Sequence, residues 1–357
     1  MNKVILMKFT IALTFFFVST FSVTYCQVLE GFDIVKLIPT TEVKDQGNSG
    51  TCWSFGTISF LETEILREKN IEIDLSEMFV VRWIYPEKAK NYFRTQGNSY
   101  FTAGGQPHDV LMVMDSKGLV PETSYEQNLD YIFGYNTEEL DTAAFKFVKG
   151  LRKSEKEIIP SDWLSEFDVI LNSNLGIPPN EFTFSNQKYT PKQFCENFLS
   201  LDANDYIEIT SYNHHPYNDY FCLESRYNWA LKPYYNVQLK TFMSIIENAL
   251  MNGFSVVFNG DVSEKGFDYF KGLAVSKSSN GDEVLYRQEL LETGESTVDH
   301  VMHIVGIAKG KDGKKYFITK NSWGTEYSCS GYMYLSEDYI KFKAISILVN
   351  KKALKVK

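Results

Sequence analysis

Between Thr51 and about Lys69, Ile58, Leu61 and Ile65 recur at helical spacing while Glu62, Glu64, Arg67 and Glu68 fill the remaining positions. That pattern predicts an amphipathic helix, with Thr51 placed to cap its start and Cys52 in its first turn. A second helical stretch, Ser76 to about Asn91, carries an aromatic stripe that reads as core packing. Further helices are predicted near Glu138–Lys153, Asp162–Asn172 and Leu239–Met251. Beyond them the period changes. Phe254–Phe258, His300–Ala308, Lys315–Lys320, Tyr332–Leu335 and Ile345–Val349 read as strands, and Asp312-Gly313 is a hairpin-turn signal between the second and third.

The chain therefore divides into a helix-rich part, 27–235, and a β-rich part, 236–357. Within the first, residues 126–233 are rich in Tyr, Phe, Asn and Pro and read as an insertion. Residues 1–26 read as an address. Lys3 and Lys8 precede the apolar run Phe9–Val23, and Thr24-Tyr25-Cys26-Gln27 closes it. A basic start, a short apolar centre and a polar exit are the pattern of a secretory signal peptide, which predicts a secreted or periplasmic protein. A lipid anchor at Cys26 is the lesser reading, because Tyr25 is too bulky for the position before a lipidated cysteine. No other run is long enough to span a membrane.

Composition adds limits. Of 357 residues, 44% are hydrophobic and 23% charged, which suits a globular fold and argues against disorder. The formal net charge of -9 argues against a nucleic-acid partner. Four cysteines follow the signal segment: Cys52, Cys195, Cys222 and Cys329. If Cys52 stays free, at most one pair can form. Cys195 with Cys222 is a candidate bridge, and three buried thiols are the equal alternative.

Cys52 carries the first candidate chemistry. A nucleophilic cysteine attacks as thiolate, and the first turn of a helix offers unpaired N–H groups and a positive dipole end. Gly47 and Gly50 flank it in a loop a substrate can approach. Gln46 can donate its side-chain amide to a developing oxyanion beside the Cys52 N–H. Of five histidines, His300 opens a strand and can serve as base. His303 lies an odd number of residues on, so the two rings point oppositely and do not share a metal. His214-His215 reads as a loop, and no metal site and no cofactor are expected. Asn321 follows a strand and can orient the imidazole through its amide oxygen, with Trp323 as a roof over that bond.

Together these segments resemble the papain-like cysteine peptidases. Asp45-Gln46-Gly-Asn-Ser-Gly50-Thr-Cys52-Trp53-Ser-Phe55 resembles the family's cysteine segment, Asp299-His300 with Gly306 its histidine strand, and Asn321-Ser-Trp-Gly324 its asparagine loop. Leu75-Ser76-Glu77 and Gly104-Gly105 agree in order. The resemblance implies a two-lobed α+β fold, a helical lobe and a β-rich, barrel-like lobe with the cleft between them. It implies catalysis by Cys52, His300 and Asn321 with Gln46 at the oxyanion, and peptide substrates on a backbone shelf at Gly104 and Gly105, beside Gly50 and Trp323. The short stretch 27–45, the insertion and the ending Ile347–Leu354 look more like the bleomycin hydrolase and aminopeptidase C branch. That branch uses a C-terminal arm in the cleft to receive the substrate's amino group, and it is often hexameric, which implies a homo-oligomer. Little follows Asn350 here. Aminopeptidase action is thus implied by resemblance, an endopeptidase of the same fold stays open, and a silent peptide-binding homologue and a metal-dependent hydrolase built on His214-His215 are the competing readings.

Overall fold

The computed structural model describes residues 29–125, 127, 135–153, 159–327 and 329–355; the signal segment and Cys26 lie outside them. Among the described residues, five helices of ten residues or more build the first part: α1 (Cys52–Lys69), α2 (Glu77–Arg94), α3 (Pro107–Ser116), α4 (Glu138–Lys153) and α5 (Trp163–Leu175). The second part is one large, mostly antiparallel sheet. Its strands run in the order Asp219–Phe221, Tyr234–Asn236, Tyr206–Thr210, Ala344–Asn350, Val256–Gly260, His300–Gly310, Lys315–Lys320, Tyr332–Ser336, Leu273–Ala274, Phe267–Asp268. Phe32–Leu37 pairs beside the second half of His300–Gly310.

Alternation along the central strands explains how the two parts join. Val301, Val257 and Leu348 point to the core that holds α1, with Phe60, Leu61 and Met78. Their neighbours Met302, Phe258 and Ile347 point to a second core built around Phe242, Ile246 and Leu250 of the helix Leu239–Met251. Helices thus cover both faces, and the sheet stays open rather than barrel-like: no pairing among the described residues closes its two ends.

Two expectations change. The acidic residues of α1 do not face water: Glu62 and Glu64 are buried. Glu62 accepts from Thr41 Oγ1 (2.6 Å), Lys44 Nζ (3.1 Å) and the Leu75 N–H (2.9 Å), and Glu64 from Arg67 and Asn350. Buried carboxylates with this many partners keep a central helix covered on all sides. The end of the stretch 126–233, read as insertion, contributes two strands to the sheet, Tyr206–Thr210 and Asp219–Phe221, with Tyr234–Asn236 just past it between them; Tyr206–Thr210 pairs with Ala344–Asn350 from Ser346↔Thr210 to Asn350↔Tyr206. The aromatic stripe of α2 is core, with Phe79 and Tyr85 buried.

Candidate active site

Cys52 is the first residue of α1, and the helix is laid directly on the strand that begins at His300. Gly56, one turn on, allows that approach: a Cβ there would lie 2.9 Å from Val301 Cγ1 and 3.0 Å from the Val301 carbonyl oxygen. Thr51 occupies the cap position, but its hydroxyl pairs with Ser49 Oγ at 2.6 Å and caps nothing. The first N–H groups of α1 are thereby not taken up by a side chain of the cap residue, and they face the same end as the Cys52 sulfur. Burial pushes the Cys52 thiol up to about 11, with Asp299 adding to the shift. The N–H groups of Val301 and Trp53 beside the sulfur act the other way, in favour of thiolate.

His300 donates from Nε2 to Asn321 Oδ1 at 2.8 Å. The Ser322 N–H donates to the same oxygen at 2.8 Å, so two donors fix the amide's orientation and with it the His300 tautomer. Nδ1 is left as the free ring nitrogen. Trp323 lies over the imidazole, centroids 4.6 Å apart at 34°, and is itself wedged by Tyr269 at 4.8 Å. His300 is 3% exposed, and burial pulls its pKa down to about 4, against the opposing Asn321 bond. Burial therefore disfavours a lone charge on either Cys52 or His300. A proton passing from thiol to imidazole keeps the pair neutral in sum, which is the transfer such a site can support.

The asparagine loop also holds Gln46. Ser322 Oγ donates to Gln46 Oε1 at 2.7 Å, and the Gln46 N–H donates to the Ser322 carbonyl at 2.8 Å. Gln46 Nε2 gives one hydrogen to Ser49 O at 2.8 Å, and its second is available at the cleft wall. Ser322 went unassigned in the sequence although it lies inside the Asn-Ser-Trp-Gly segment; its part depends on a contact 276 residues away in the chain.

A cleft of about 1140 Å³ brings the predicted residues together: Gln46, Gly50, Cys52, Gly104, Gly105, His300 and Trp323 all line it. Asn321 stands behind His300 and does not line it. The shelf at Thr102–Gly105 is anchored from behind, where Trp53 Nε1 donates to Ala103 O (2.9 Å) and the buried Lys88 ammonium to Thr102 O (2.8 Å) and Gly104 O (2.5 Å). Burial lowers Lys88 to about 8, with Asp109 and Asp141 opposing. From the insertion, Tyr227 lies on Gly104, so close that a Cβ on Gly104 would meet its ring at 2.5 Å. No sequence signal pointed to Lys88 or Tyr227, because neither belongs to a motif.

Other predicted groups lie elsewhere. His303 is buried on the α1 side, its Nδ1 3.0 Å from Ser59 Oγ, opposite to His300 as the strand period requires. The four described cysteines are all free, so Cys195 and Cys222 form no bridge: the first is buried and the second exposed. Lys352 Nζ pairs with Glu68 at 2.8 Å. Glu68 is at the far end of α1, about 25 Å from Cys52 at 1.5 Å per residue, so the described C-terminal residues line no part of the cleft. No helix among the described residues is long and apolar enough to cross a membrane.

Comparison with known proteins places the chain in a family and a fold. Residues 27–357 match the family model of the Peptidase C1-like family. Aminopeptidase C of Lactobacillus delbrueckii subsp. lactis is 24% identical over 364 residues, 88% of this chain and 80% of that protein. Aminopeptidase G of the same organism is 24% identical over 369 residues, 89% of this chain and 82% of that protein. Aminopeptidase C of Lactococcus lactis subsp. cremoris is 23% identical over 367 residues, 87% and 81%. Among solved structures, PepW of Lactobacillus rhamnosis HN001 superposes with a TM-score of 0.73 at 22% identity, over 90% of this chain and 82% of that one, which shows a shared fold.

Proposed function

The chain belongs to the Peptidase C1-like family, and from that premise we propose that this cysteine peptidase acts through Cys52, His300, Asn321 and Gln46 and removes residues from the free amino end of peptides. The observation that carries the assignment is the 2.8 Å bond from His300 Nε2 to Asn321 Oδ1. It leaves Nδ1 free in the cleft that Cys52 also lines.

Each step uses a group already in place. Cys52 passes its proton to His300 Nδ1 and attacks the scissile carbonyl carbon, and the negative charge that develops on the carbonyl oxygen is met by Gln46 Nε2–H and the Cys52 N–H. The tetrahedral intermediate collapses as the C–N bond breaks, with the His300 proton going to the leaving amine, and a thioester remains. His300 then takes a proton from water as the water attacks the thioester, and the acid product leaves with Cys52 restored. Asn321 keeps the imidazole plane fixed through both halves, and Trp323 keeps water off the bond that does so.

The aminopeptidase reading is supported by the names of the relatives, all above four-fifths coverage of this chain, and by Tyr227 narrowing the shelf at Gly104. Export by cleavage of residues 1–26 belongs to the same proposal and rests on the basic start at Lys3 and Lys8 and the apolar run Phe9–Val23. The test is an active-site-directed epoxide with mass spectrometry, and amino-free and amino-blocked fluorogenic peptides, with Cys52→Ala as control. Labelling of Cys52, loss of cleavage in Cys52→Ala and preference for the amino-free peptide are expected. An unlabelled Cys52 with neither peptide cut under reducing conditions overturns the catalytic assignment, and cleavage of both peptides alike overturns the amino-end preference.

A further inference from the structure

Away from the cleft, three metal-ligating side chains converge on the 206–236 stretch. His214 Nε2 lies 3.2 Å from one oxygen of Glu224, and His215 Nε2 lies 2.9 Å from the other. One ligand atom from each of the three falls within 4.8 Å of the others. Two neutral imidazoles and a carboxylate are a donor set suited to zinc, with a fourth position left for water. Tetrahedral bonds of about 2.0–2.2 Å separate ligand atoms by about 3.3–3.6 Å. The two His–Glu224 separations fall just short of that spacing and the whole set lies within 4.8 Å, so small shifts of the three exposed or half-buried side chains close it on an ion.

The rings are held before any ion arrives. His215 stacks on Phe221, centroids 4.1 Å apart at 21°, and His214 meets the same ring edge-on at 5.5 Å. His214 Nδ1 lies 2.9 Å from Gln288 Nε2 and 3.2 Å from Gln288 Oε1, and that amide is fixed by the Asn213 N–H donating to Oε1 (3.0 Å) and by Nε2 donating to Glu292 (2.8 Å). Without an ion, His214 Nε2–H donates to Glu224 while Nδ1 accepts from Gln288 Nε2; on metal binding the ring takes the other tautomer, with Nδ1–H donating to Gln288 Oε1 and the Nε2 lone pair on the ion. Such an outer partner is what orients an imidazole ligand on a metal.

We propose that His214, His215 and Glu224 form a binding site for a divalent transition metal of the zinc class, where the sequence reading set a loop above a metal and did not point to Glu224. The site ties the 213–216 loop to the segment that carries Tyr227, three residues past Glu224. A cavity of about 700 Å³ runs from His214, Glu224 and Gln288 to Tyr227 and Val298, which also line the active-site cleft. An ion at Glu224 therefore steadies one wall of both.

The experiment uses the full chain carrying Cys52→Ala, so that the active-site thiol does not compete for the ion. Zn²⁺ is titrated by calorimetry, and Co²⁺ by visible absorption. One equivalent of Zn²⁺ is expected, with a four-coordinate Co²⁺ spectrum lacking thiolate charge-transfer absorption and a rise in Tm on adding Zn²⁺. Adding His215→Ala or Glu224→Gln is expected to weaken binding at least about tenfold, and Gln288→Leu about tenfold through the outer partner. The His215 and Glu224 side chains are 35% and 60% exposed, so the ion-free Tm of these two variants stays near that of the parent. Failure to bind one equivalent overturns the proposal. So does a thiolate band in the Co²⁺ spectrum, which would place the ion on a cysteine such as Cys222, or a loss below tenfold in both His215→Ala and Glu224→Gln.

Discussion

Gly56 rests on the backbone of Val301, with room for hydrogen but not for a methyl: a Cβ would sit 2.9 Å from the Val301 side chain and 3.0 Å from its carbonyl oxygen. Cys52 is one helical turn before Gly56 and His300 is the residue before Val301, so this contact sets the separation of the two side chains proposed to react. Gly56→Ala is expected to push α1 off the strand. Overpacking of this kind costs about 1–3 kcal/mol, and misplacement by ~1 Å can cost about a hundredfold in rate. Thermal unfolding and kcat/KM on the same preparation check it. A fall in kcat/KM larger than the stability loss explains, with Cys52 still labelled by the epoxide, is the expected pattern, and an unchanged kcat/KM would refute the role of this contact.

Gln46 is steered by Ser322, whose hydroxyl holds the Gln46 amide oxygen at 2.7 Å and so turns Nε2 toward the cleft. Gln46→Ala is expected to lower kcat by about a hundredfold or more. KM should barely move, because the oxyanion exists only past the ground state. Ser322→Ala should show the same kcat-selective loss in smaller degree. A change confined to KM in either variant would assign this pair to substrate binding instead.

The parts of the proposed site that were legible in the sequence are those that sit in local patterns. Cys52 was readable from a helix start, His300 from the first position of an apolar strand, and Asn321 from the loop that follows another. The supports of the site were not readable, because each depends on a contact that closes only in the fold. Gly56 looked like any helical glycine, Lys88 like a surface lysine on α2, and Ser322 like loop filler. Glu62 and Glu64 show the converse error: at helical spacing they imitate a solvated face, and only Lys44, Arg67 and Asn350, brought from elsewhere, make their burial tolerable. The sheet was misjudged for a related reason. Strand patterning does not reveal whether both faces are covered, and coverage by α1 and Leu239–Met251 is what leaves it open.

The buried imidazole of His300 makes a pH signature. Its pKa is depressed from 6.5 to about 4 by burial, so the unfolded chain binds its proton first. His300 then contributes its full stability above about pH 6.5 and loses it as pH falls toward 4. The shift corresponds to about 3 kcal/mol at ~1.4 kcal/mol per pKa unit. Glu77, raised to about 8, and Asp299, raised to about 6, tilt the total in the opposite sense, so the useful quantity is a difference. Urea unfolding of Cys52→Ala and of Cys52→Ala with His300→Gln, at pH 7 and pH 4, should show the advantage of histidine shrinking by up to that amount. An advantage that is constant or grows in acid would mean that His300 is charged in the folded protein.

Tyr227 offers a way to separate exopeptidase from endopeptidase architecture within one chain. The amino-group receiver of the related branch is a C-terminal arm, yet residues up to Lys355 lie at the opposite end of α1 from Cys52. The shelf at Gly104 is narrowed instead by Tyr227, packed edge-to-face on Tyr100 at 5.3 Å, with the Arg226 guanidinium over both rings at 5.2 and 4.7 Å. Three interlocked side chains resist displacement better than one exposed tyrosine would, so a long chain running past Gly104 must break the cluster to be accommodated. Tyr227→Ala should open that path. The ratio of kcat/KM for amino-blocked over amino-free peptides is expected to rise at least about tenfold, equivalent to ~1.4 kcal/mol, mostly through the blocked substrate. If both substrates lose activity in equal proportion, Tyr227 only supports the shelf, and the barrier to longer peptides lies elsewhere in the cleft.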